Sequence, residues 1–153
     1  MNELVIDKPG DYPYVWHYLN QRAKVGWSSD LVSIGLVNSD KKIVAAVGFN
    51  NWFAGGCYMH MAVDHRHAAT RKFLAAAFHY PFVELQLDLV LGMTPAYNTR
   101  ALNLNRKLGF VPFRDLGDTI LQELRREDCR FLTARYQAES VHGRKLLTDT
   151  GTS

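Results

Sequence analysis

The chain has 153 residues, of which 47% are hydrophobic, so it is long enough for one buried core and short for two. Its 18 basic and 15 acidic side chains are interspersed and leave a net charge of +3, which argues against nucleic acid as the principal partner. Cys57 and Cys129 stand far apart without metal-ligand spacing, so neither a disulfide framework nor a metal site is expected. The sequence contains no signal-like N-terminus and no apolar run of about 18 residues, so we expect a cytoplasmic protein with no membrane partner.

The N-terminal part of the chain predicts a short strand followed by a helix. Residues 4–6 are apolar and precede the breaker Lys-Pro-Gly-Asp at residues 8–11. Apolar side chains then recur at helical spacing, so we expect an amphipathic helix that begins near Asp11 or Pro13.

The next segment predicts three antiparallel strands. Residues 31–37 and 43–49 are rich in Val, Ile and Leu and flank a polar turn, which indicates a hairpin. Residues 57–63 extend the hairpin into a meander. The two-residue period of a strand puts His60 and Met61 on opposite faces of the predicted sheet.

The second half of the chain predicts two helices separated by a buried strand. The apolar stripe at residues 69–80 has the helical period, and Pro81 is expected to kink or end that helix. Residues 85–91 are almost continuously apolar, as expected of a strand buried on both faces. A second helix is expected at residues 98–108. Two further strands are expected at residues 110–114 and 119–124.

These predicted elements follow one another as strand, helix, three-strand meander, helix, strand, helix and two strands. Such an order is typical of an α+β domain in which helices flank a mixed sheet. We expect a single domain over residues 1–135. The pattern fades beyond residue 132, so residues 136–153 are expected to form a loosely ordered C-terminal tail.

The clearest motif lies at residues 98–110, where a predicted helix begins at an asparagine and ends at Gly-Phe. Asn98 at the helix start can cap free N–H groups or meet a ligand, and the small Ala101 one turn later leaves room beside it. Gly109 is expected to end the helix in a left-handed turn before Phe110. Asn98 also has a simpler explanation, as a cap alone.

This spacing of Asn98, Ala101 and Gly109-Phe110 resembles the last core helix of the GNAT acyltransferase superfamily. The resemblance covers roughly residues 31–132. The chain also resembles short GNAT-like proteins of phages and bacteria, through the motifs Thr70-Arg71, Tyr80-Pro81-Phe82 and Glu127-Asp128-Cys129-Arg130. The GNAT resemblance implies the GNAT acyl-CoA N-acyltransferase fold, with a mixed central sheet of about six to seven strands, acetyl-CoA as co-substrate and no metal.

The resemblance also implies a coenzyme A site. In the family, the loop after the fourth strand reads Arg/Gln-x-x-Gly-x-Gly/Ala and cradles the pyrophosphate at a helix N-terminus. The corresponding loop here, residues 64–71, has no glycine. The implied binding residues are Met61, Ala62 and Val63 in the strand, Arg66, Ala68, Ala69, Thr70 and Arg71 in the loop, and Asn98, Ala101 and Asn105 in the last helix. The alternative is that the basic loop residues form only a solvated helix start.

Acetyl transfer to an amine requires a group that accepts the amine proton, because an alkylammonium is not a nucleophile. The candidates are His60, Asp64 and His65. His60 is preferred, because an imidazole titrates near neutrality and strand alternation aims it at one face beside the expected thioester. A purely structural histidine is the alternative. In the family, a tyrosine seven residues after the helix-starting asparagine often protonates the departing thiolate, and Asn105 occupies that position here.

Two functions follow as hypotheses. The first is an N-acetyltransferase that moves the acetyl group of acetyl-CoA to an unidentified amine, on a small molecule or a protein, by direct attack in a ternary complex. The second is a catalytically silent GNAT-fold protein, such as one encoded by a phage, that binds coenzyme A or serves in assembly. Nucleic-acid binding through Arg66, Arg71 and Lys72 ranks last, because no recognition motif accompanies these residues. The oligomeric state stays open, with a homodimer among the options.

Overall fold

A computed structural model describes residues 2–132, 135–141 and 144–151 of the chain. The strands are β1 (Glu3–Asp7), β2 (Val32–Val37), β3 (Ile43–Phe53), β4 (Gly56–Val63), β5 (Leu89–Pro95), β6 (Val111–Asp115), β7 (Thr119–Arg125), β8 (Arg135–Val141) and β9 (Arg144–Gly151). The helices are α1 (Tyr14–Ala23), α2 (Arg71–His79) and α3 (Thr99–Leu108). Together they form one mixed sheet flanked by helices, which is the α+β class predicted from the sequence.

The nine strands lie in the order β6-β7-β5-β4-β3-β2-β1-β9-β8. Neighbouring strands run antiparallel throughout, except that β4 and β5 are parallel. Parallel neighbours need a long crossover, and α2 provides it between β4 and β5. The predicted meander is confirmed as β2, β3 and β4.

The helices divide between the two faces of the sheet. On one face, Val15 and Leu19 of α1 share a core cluster with Ala46 of β3. On the other, Phe78 of α2 and Leu108 of α3 belong to a second cluster. Every functional side chain on the sheet therefore points either to the α1 face or to the face that α2 and α3 cover.

Over the described residues the sheet has nine strands, two or three more than predicted. The extra strands β8 and β9 begin at Arg135 and so lie almost entirely in the segment 136–153, for which the sequence predicts a loosely ordered tail. Strand β9 pairs with β1, with Val5 opposite Leu146, and Leu147 is buried in the core. Because this pairing joins the two ends of the chain, local sequence patterns give little sign of it.

Strand β5 begins four residues later than predicted, at Leu89 rather than Leu85. The reason is that Pro81 does not end the preceding helix, since a π-helical turn, Tyr80–Glu84, continues from α2. Gln86 then has a positive φ of 54°, and the chain reaches the sheet only afterwards. An apolar run reads alike in a buried helix turn and a buried strand, which explains the shift.

Candidate active site at the β4–β5 cleft

Strands β4 and β5 pair over only three residues and then separate. The register ends at Tyr58 opposite Leu91. Beyond it, β4 continues to Val63 along β3, while β5 continues to Pro95 along β7. Between residues 59–63 and 92–95, no strand of the described chain bridges the two edges, so a cleft opens in the middle of the sheet.

One edge of this cleft consists of backbone groups of β4. Asp64 donates its N–H to the carbonyl oxygen of Val44 at 2.9 Å. This hydrogen bond identifies which residues at this end of β4 form backbone hydrogen bonds with the antiparallel strand β3. In an antiparallel pair, the backbone N–H and C=O groups of every second residue face the partner strand. The backbone groups of the residues between them, including Met61 and Val63, therefore face the cleft and not β3. The backbone of Ala62, which the sequence also assigns to the cofactor site, turns to β3 instead.

The loop 64–71 follows β4 at the open end of the cleft. It contains a 3-10 turn, Arg66–Ala68, and leads to Thr70, whose hydroxyl accepts the Phe73 N–H at 3.2 Å and caps α2. Residues 64–71 all have negative φ, so the backbone of this loop does not require glycine. The first turn of α2 contains no acidic residue, and the side chains of Arg66 and Arg71 are exposed.

Helix α3 starts and stops as its sequence predicts. The Asn98 Oδ1 accepts the Ala101 N–H at 3.1 Å, so Asn98 caps the helix. Gly109 ends it with φ 109°, in the left-handed region, and a Cβ at that position would lie 3.2 Å from Leu124. The cap is therefore a structural role that Asn98 performs, whether or not it also meets a ligand.

Asn105 joins a buried polar cluster that the sequence analysis missed. Its Nδ2 donates to the Thr94 Oγ1 at 3.2 Å and to the Gln122 Oε1 at 2.9 Å. Thr94 is 5% exposed and Gln122 is 1% exposed. The three residues come from α3, β5 and β7, so no local pattern brings them together. The one sequence signal that could have indicated them is the alternation of β5 and β7, which puts the small or polar residues Gly92, Thr94 and Gln122 on the face that α3 covers.

His60 lies on β4 beside the cleft, on the α1 face of the sheet. Its Nε2 is 2.9 Å from the Oδ1 of Asn50. Burial lowers the pKa of His60 below its ordinary value of 6.5, so the imidazole is neutral at pH 7. With the Asn50 oxygen as acceptor, Nε2 holds the hydrogen of the neutral ring and Nδ1 holds a lone pair.

The other two predicted bases have different surroundings. The Asp64 Oδ1 lies 2.7 Å from both the Tyr18 hydroxyl and the Arg22 Nε, so Asp64 fastens α1 to the end of β4. Partial burial raises the pKa of Asp64, but the hydrogen bonds and positive charge of its partners outweigh burial and lower the pKa below 3.8. His65 is exposed, with its ring centroid 6.0 Å from that of His67. Of the three, His60 alone lies on the cleft-lining segment of β4.

Cys57 is fully buried where β4 and β5 still pair. Burial raises the pKa of its thiol to about 12, so the thiol is protonated at neutral pH and is a poor nucleophile. Within the described residues, no group of His, Cys, Asp and Glu side chains is arranged to hold a metal ion. No helix in the described ranges is long and apolar enough to cross a membrane.

Solved N-acetyltransferase structures share this architecture. A variant of the spermidine N-acetyltransferase SpeG from Vibrio cholerae superposes with a TM-score of 0.62 at 17% identity, over 86% of this chain and 96% of that one. The N-acetyltransferase PseH from Campylobacter jejuni gives 0.60 at 12% identity, over 80% and 97% of the two chains. PseH in complex with acetyl coenzyme A gives 0.55 at 16% identity, over 76% and 82%. Neither a family model nor a curated protein sequence matches this chain.

The sheet, its central cleft and these superpositions define an acyltransferase-type α+β fold. More specifically, the chain has the fold of the GNAT N-acetyltransferases, as predicted from its sequence. The narrower resemblance to short phage and bacterial proteins stays a prediction.

Proposed function

We propose that this protein is an N-acetyltransferase that transfers the acetyl group of acetyl-CoA to an amine. The observation that carries the proposal is the cleft between β4 and β5, because an unpaired strand edge and a basic helix N-terminus meet there. SpeG and PseH, which share the fold, are N-acetyltransferases, and one PseH structure holds acetyl coenzyme A. A cytoplasmic location belongs to the same proposal.

The residues at the cleft fit coenzyme A. The pantetheine arm is extended and contains amide groups, and the backbone of Met61 and Val63 offers such a chain the hydrogen bonds of a missing neighbouring strand. At the open end, the first turn of α2 offers N–H donors to the pyrophosphate, and Arg66 and Arg71 add positive charge. The loop needs no glycine for its backbone conformation, because none of residues 64–71 has a positive φ.

His60 is the proposed general base. Its Nδ1 lone pair accepts the proton of the amine as the amine nitrogen attacks the thioester carbonyl. In this direct attack, within a ternary complex, the C–N bond forms and the C–S bond breaks. A backbone N–H on the free edge of β4, such as that of Met61, is the proposed hydrogen-bond donor to the oxyanion. The protonated Cys57 thiol gives no reason to invoke an acyl-enzyme.

The acceptor amine is proposed to approach on the α1 face. The strand registers align Asp7, Ser33, Gly48 and His60 in one row across β1, β2, β3 and β4. A cavity beside Ser33, with Trp27 at its rim, lies on this face. Since adjacent strands are about 4.8 Å apart, Ser33 is about 10 Å from His60. Leu19 and Leu31 lie over Gly48 between the two residues, so the proposed approach rests on the direction of the His60 side chain and not on a continuous channel from this cavity.

One observation favours the second candidate, a catalytically silent coenzyme-A-binding or assembly protein. Asn105 stands where family members often have a tyrosine, and its two amide hydrogens are already donated within the protein. An amide is also not an acid at neutral pH. The SpeG neighbour forms a dodecamer in one structure, and by analogy we propose that this protein also forms an oligomer, for either candidate function.

Release of free thiol from acetyl-CoA tests the proposal. The purified protein is incubated with acetyl-CoA and a panel of small-molecule amines and peptides, and amine-dependent thiol release is followed. Release with at least one amine, lost in His60→Gln, supports the transferase. Binding of acetyl-CoA without release across the panel supports the silent protein. Failure to bind acetyl-CoA contradicts the transferase and the coenzyme-A-binding role, and leaves the assembly role as the second candidate.

A further inference from the structure

We propose that the Thr94 hydroxyl donates a hydrogen bond to the sulfur of the departing coenzyme A thiolate, and that Asn105 and Gln122 hold it in position. This inference rests on the proposed acetyl transfer. It concerns the face of the sheet opposite His60, which the proposed base does not use.

The cleft itself contains few polar side chains. The lining segments of β4 and β5, residues 59–63 and 92–95, include only His60 and Thr94 with polar side chains. The two point to opposite faces of the sheet, His60 to the α1 face and Thr94 toward α3, where it meets Asn105. Thr94 is therefore the one side-chain hydroxyl on these two segments.

Within this cluster, the hydroxyl hydrogen of Thr94 has no acceptor among the described residues. An asparagine amide has two hydrogens, and Asn105 donates one to the Thr94 oxygen and the other to the Gln122 oxygen. The Thr94 oxygen is thus an acceptor, and no described residue accepts its hydroxyl hydrogen. Because Thr94 is 5% exposed, an unused donor there is costly, and a bound ligand can supply the missing acceptor.

The same hydrogen bonds exclude Asn105 as the donor to sulfur. Both of its hydrogens are committed, and its remaining polar atom is an oxygen, which would repel a thiolate. When the C–S bond breaks, the electron pair stays on sulfur, and the Thr94 O–H stabilises it through a charge-assisted hydrogen bond. The threonine proton is not transferred. The amine proton goes to His60 and from there to solvent, so the reaction balances without an acid at position 105.

The ionisation of bound coenzyme A tests this role without turnover. The ultraviolet absorbance of the thiolate is titrated for free coenzyme A and for coenzyme A bound to the wild-type protein, Thr94→Val and Thr94→Ser. We expect the wild type and Thr94→Ser to lower the pKa of the bound thiol relative to free coenzyme A. Thr94→Val should raise it by about one unit relative to the wild type, a tenfold change in the thiolate-to-thiol ratio.

Binding of a coenzyme A analogue that lacks the sulfur is the control, and it should be equal in the wild type and Thr94→Val. A bound thiol with the pKa of free coenzyme A in the wild type overturns the inference, whatever the variants do. An equal thiol pKa in wild type and Thr94→Val also overturns it, while leaving the proposed transferase intact. If the wild type binds no coenzyme A, the proposed function is contradicted, and with it this inference.

Discussion

The Nε2 of His60 and the Oδ1 of Asn50 lie 2.9 Å apart, joining β4 to β3 on the α1 face of the sheet. This contact fixes the ring and assigns its hydrogen to Nε2, which leaves Nδ1 as the basic atom. Burial keeps the ring neutral at pH 7 by lowering its pKa. His60 is therefore already in the protonation state that a general base for an amine requires.

Replacing this base should reduce turnover and spare cofactor binding. His60→Gln keeps a side-chain amide that can bond Asn50 but removes the basic nitrogen, so we expect kcat to fall about 100-fold or more. The Kd for acetyl-CoA should stay within about twofold. His17→Gln, an exposed position on α1, is the matched control and should behave as the wild type. A His60→Gln rate equal to that of the control would remove His60 as the base.

The pH profile of kcat/KM should report the lowered pKa of His60. Only the neutral ring accepts a proton, so kcat/KM should fall as the pH drops through a value below 6.5. Ionisation of the acceptor amine adds a separate limb at higher pH. The acid limb should vanish in His60→Gln, while the amine limb stays. An acid limb at or above 6.5 would contradict the neutral, buried ring.

Arg71 should contribute electrostatically to coenzyme A binding. Its side chain is exposed at the first turn of α2, so Arg71→Gln should weaken binding by up to about fivefold, and less at high salt. Lys41→Asn, in the exposed β2–β3 turn, is the control for the loss of one positive charge. Isothermal titration at low and high salt measures both. Equal weakening in the two variants would assign the effect to net charge alone.

The Asp64 carboxylate should stabilise the fold by holding α1 against β4. Its pKa is lowered in the folded protein, so its contribution is present above pH 3.8 and is lost as the pH falls through the folded-state value. Asp64→Asn should cost about 1 kcal/mol or less at pH 7, because the ion pair with Arg22 is partly exposed.

Thermal unfolding of the wild type and Asp64→Asn between pH 3 and pH 7 measures this contribution. The difference between the two melting temperatures should shrink as the pH falls below 3.8. Asp40→Asn, in the exposed turn, is the control for the lost charge. A difference that stays constant down to pH 3 would contradict the assigned role.

Local signals in the sequence were sufficient for most of the fold. Period-two and period-3.6 patterns predicted the meander and the three helices, and Gly109 and Asn98 marked the ends of α3 because caps depend on a few adjacent residues. The start of β5 and the strands β8 and β9 depend on non-local packing. An apolar run does not distinguish a π-helical turn from a strand. Strand β9 pairs with β1, which is far from it in sequence.

The candidate site was predictable where it lies on one element. His60 and the loop after β4 could be named from strand alternation and position. The partner of His60, Asn50, lies on β3, and the partners of Asn105 lie on β5 and β7, so side-chain hydrogen bonds across strands revealed them only in three dimensions. The sequence also could not show that the glycine-free loop avoids positive φ.

The most direct test of the central claim is whether acetyl-CoA binds the folded protein. At 100 times the Kd, a ligand that binds only the folded state adds about 2.7 kcal/mol, which corresponds to about 5–10 °C in Tm for a domain of this size. The account predicts a rise of this size that saturates with acetyl-CoA concentration and is smaller in Arg71→Gln. An unchanged Tm at saturating acetyl-CoA would contradict it.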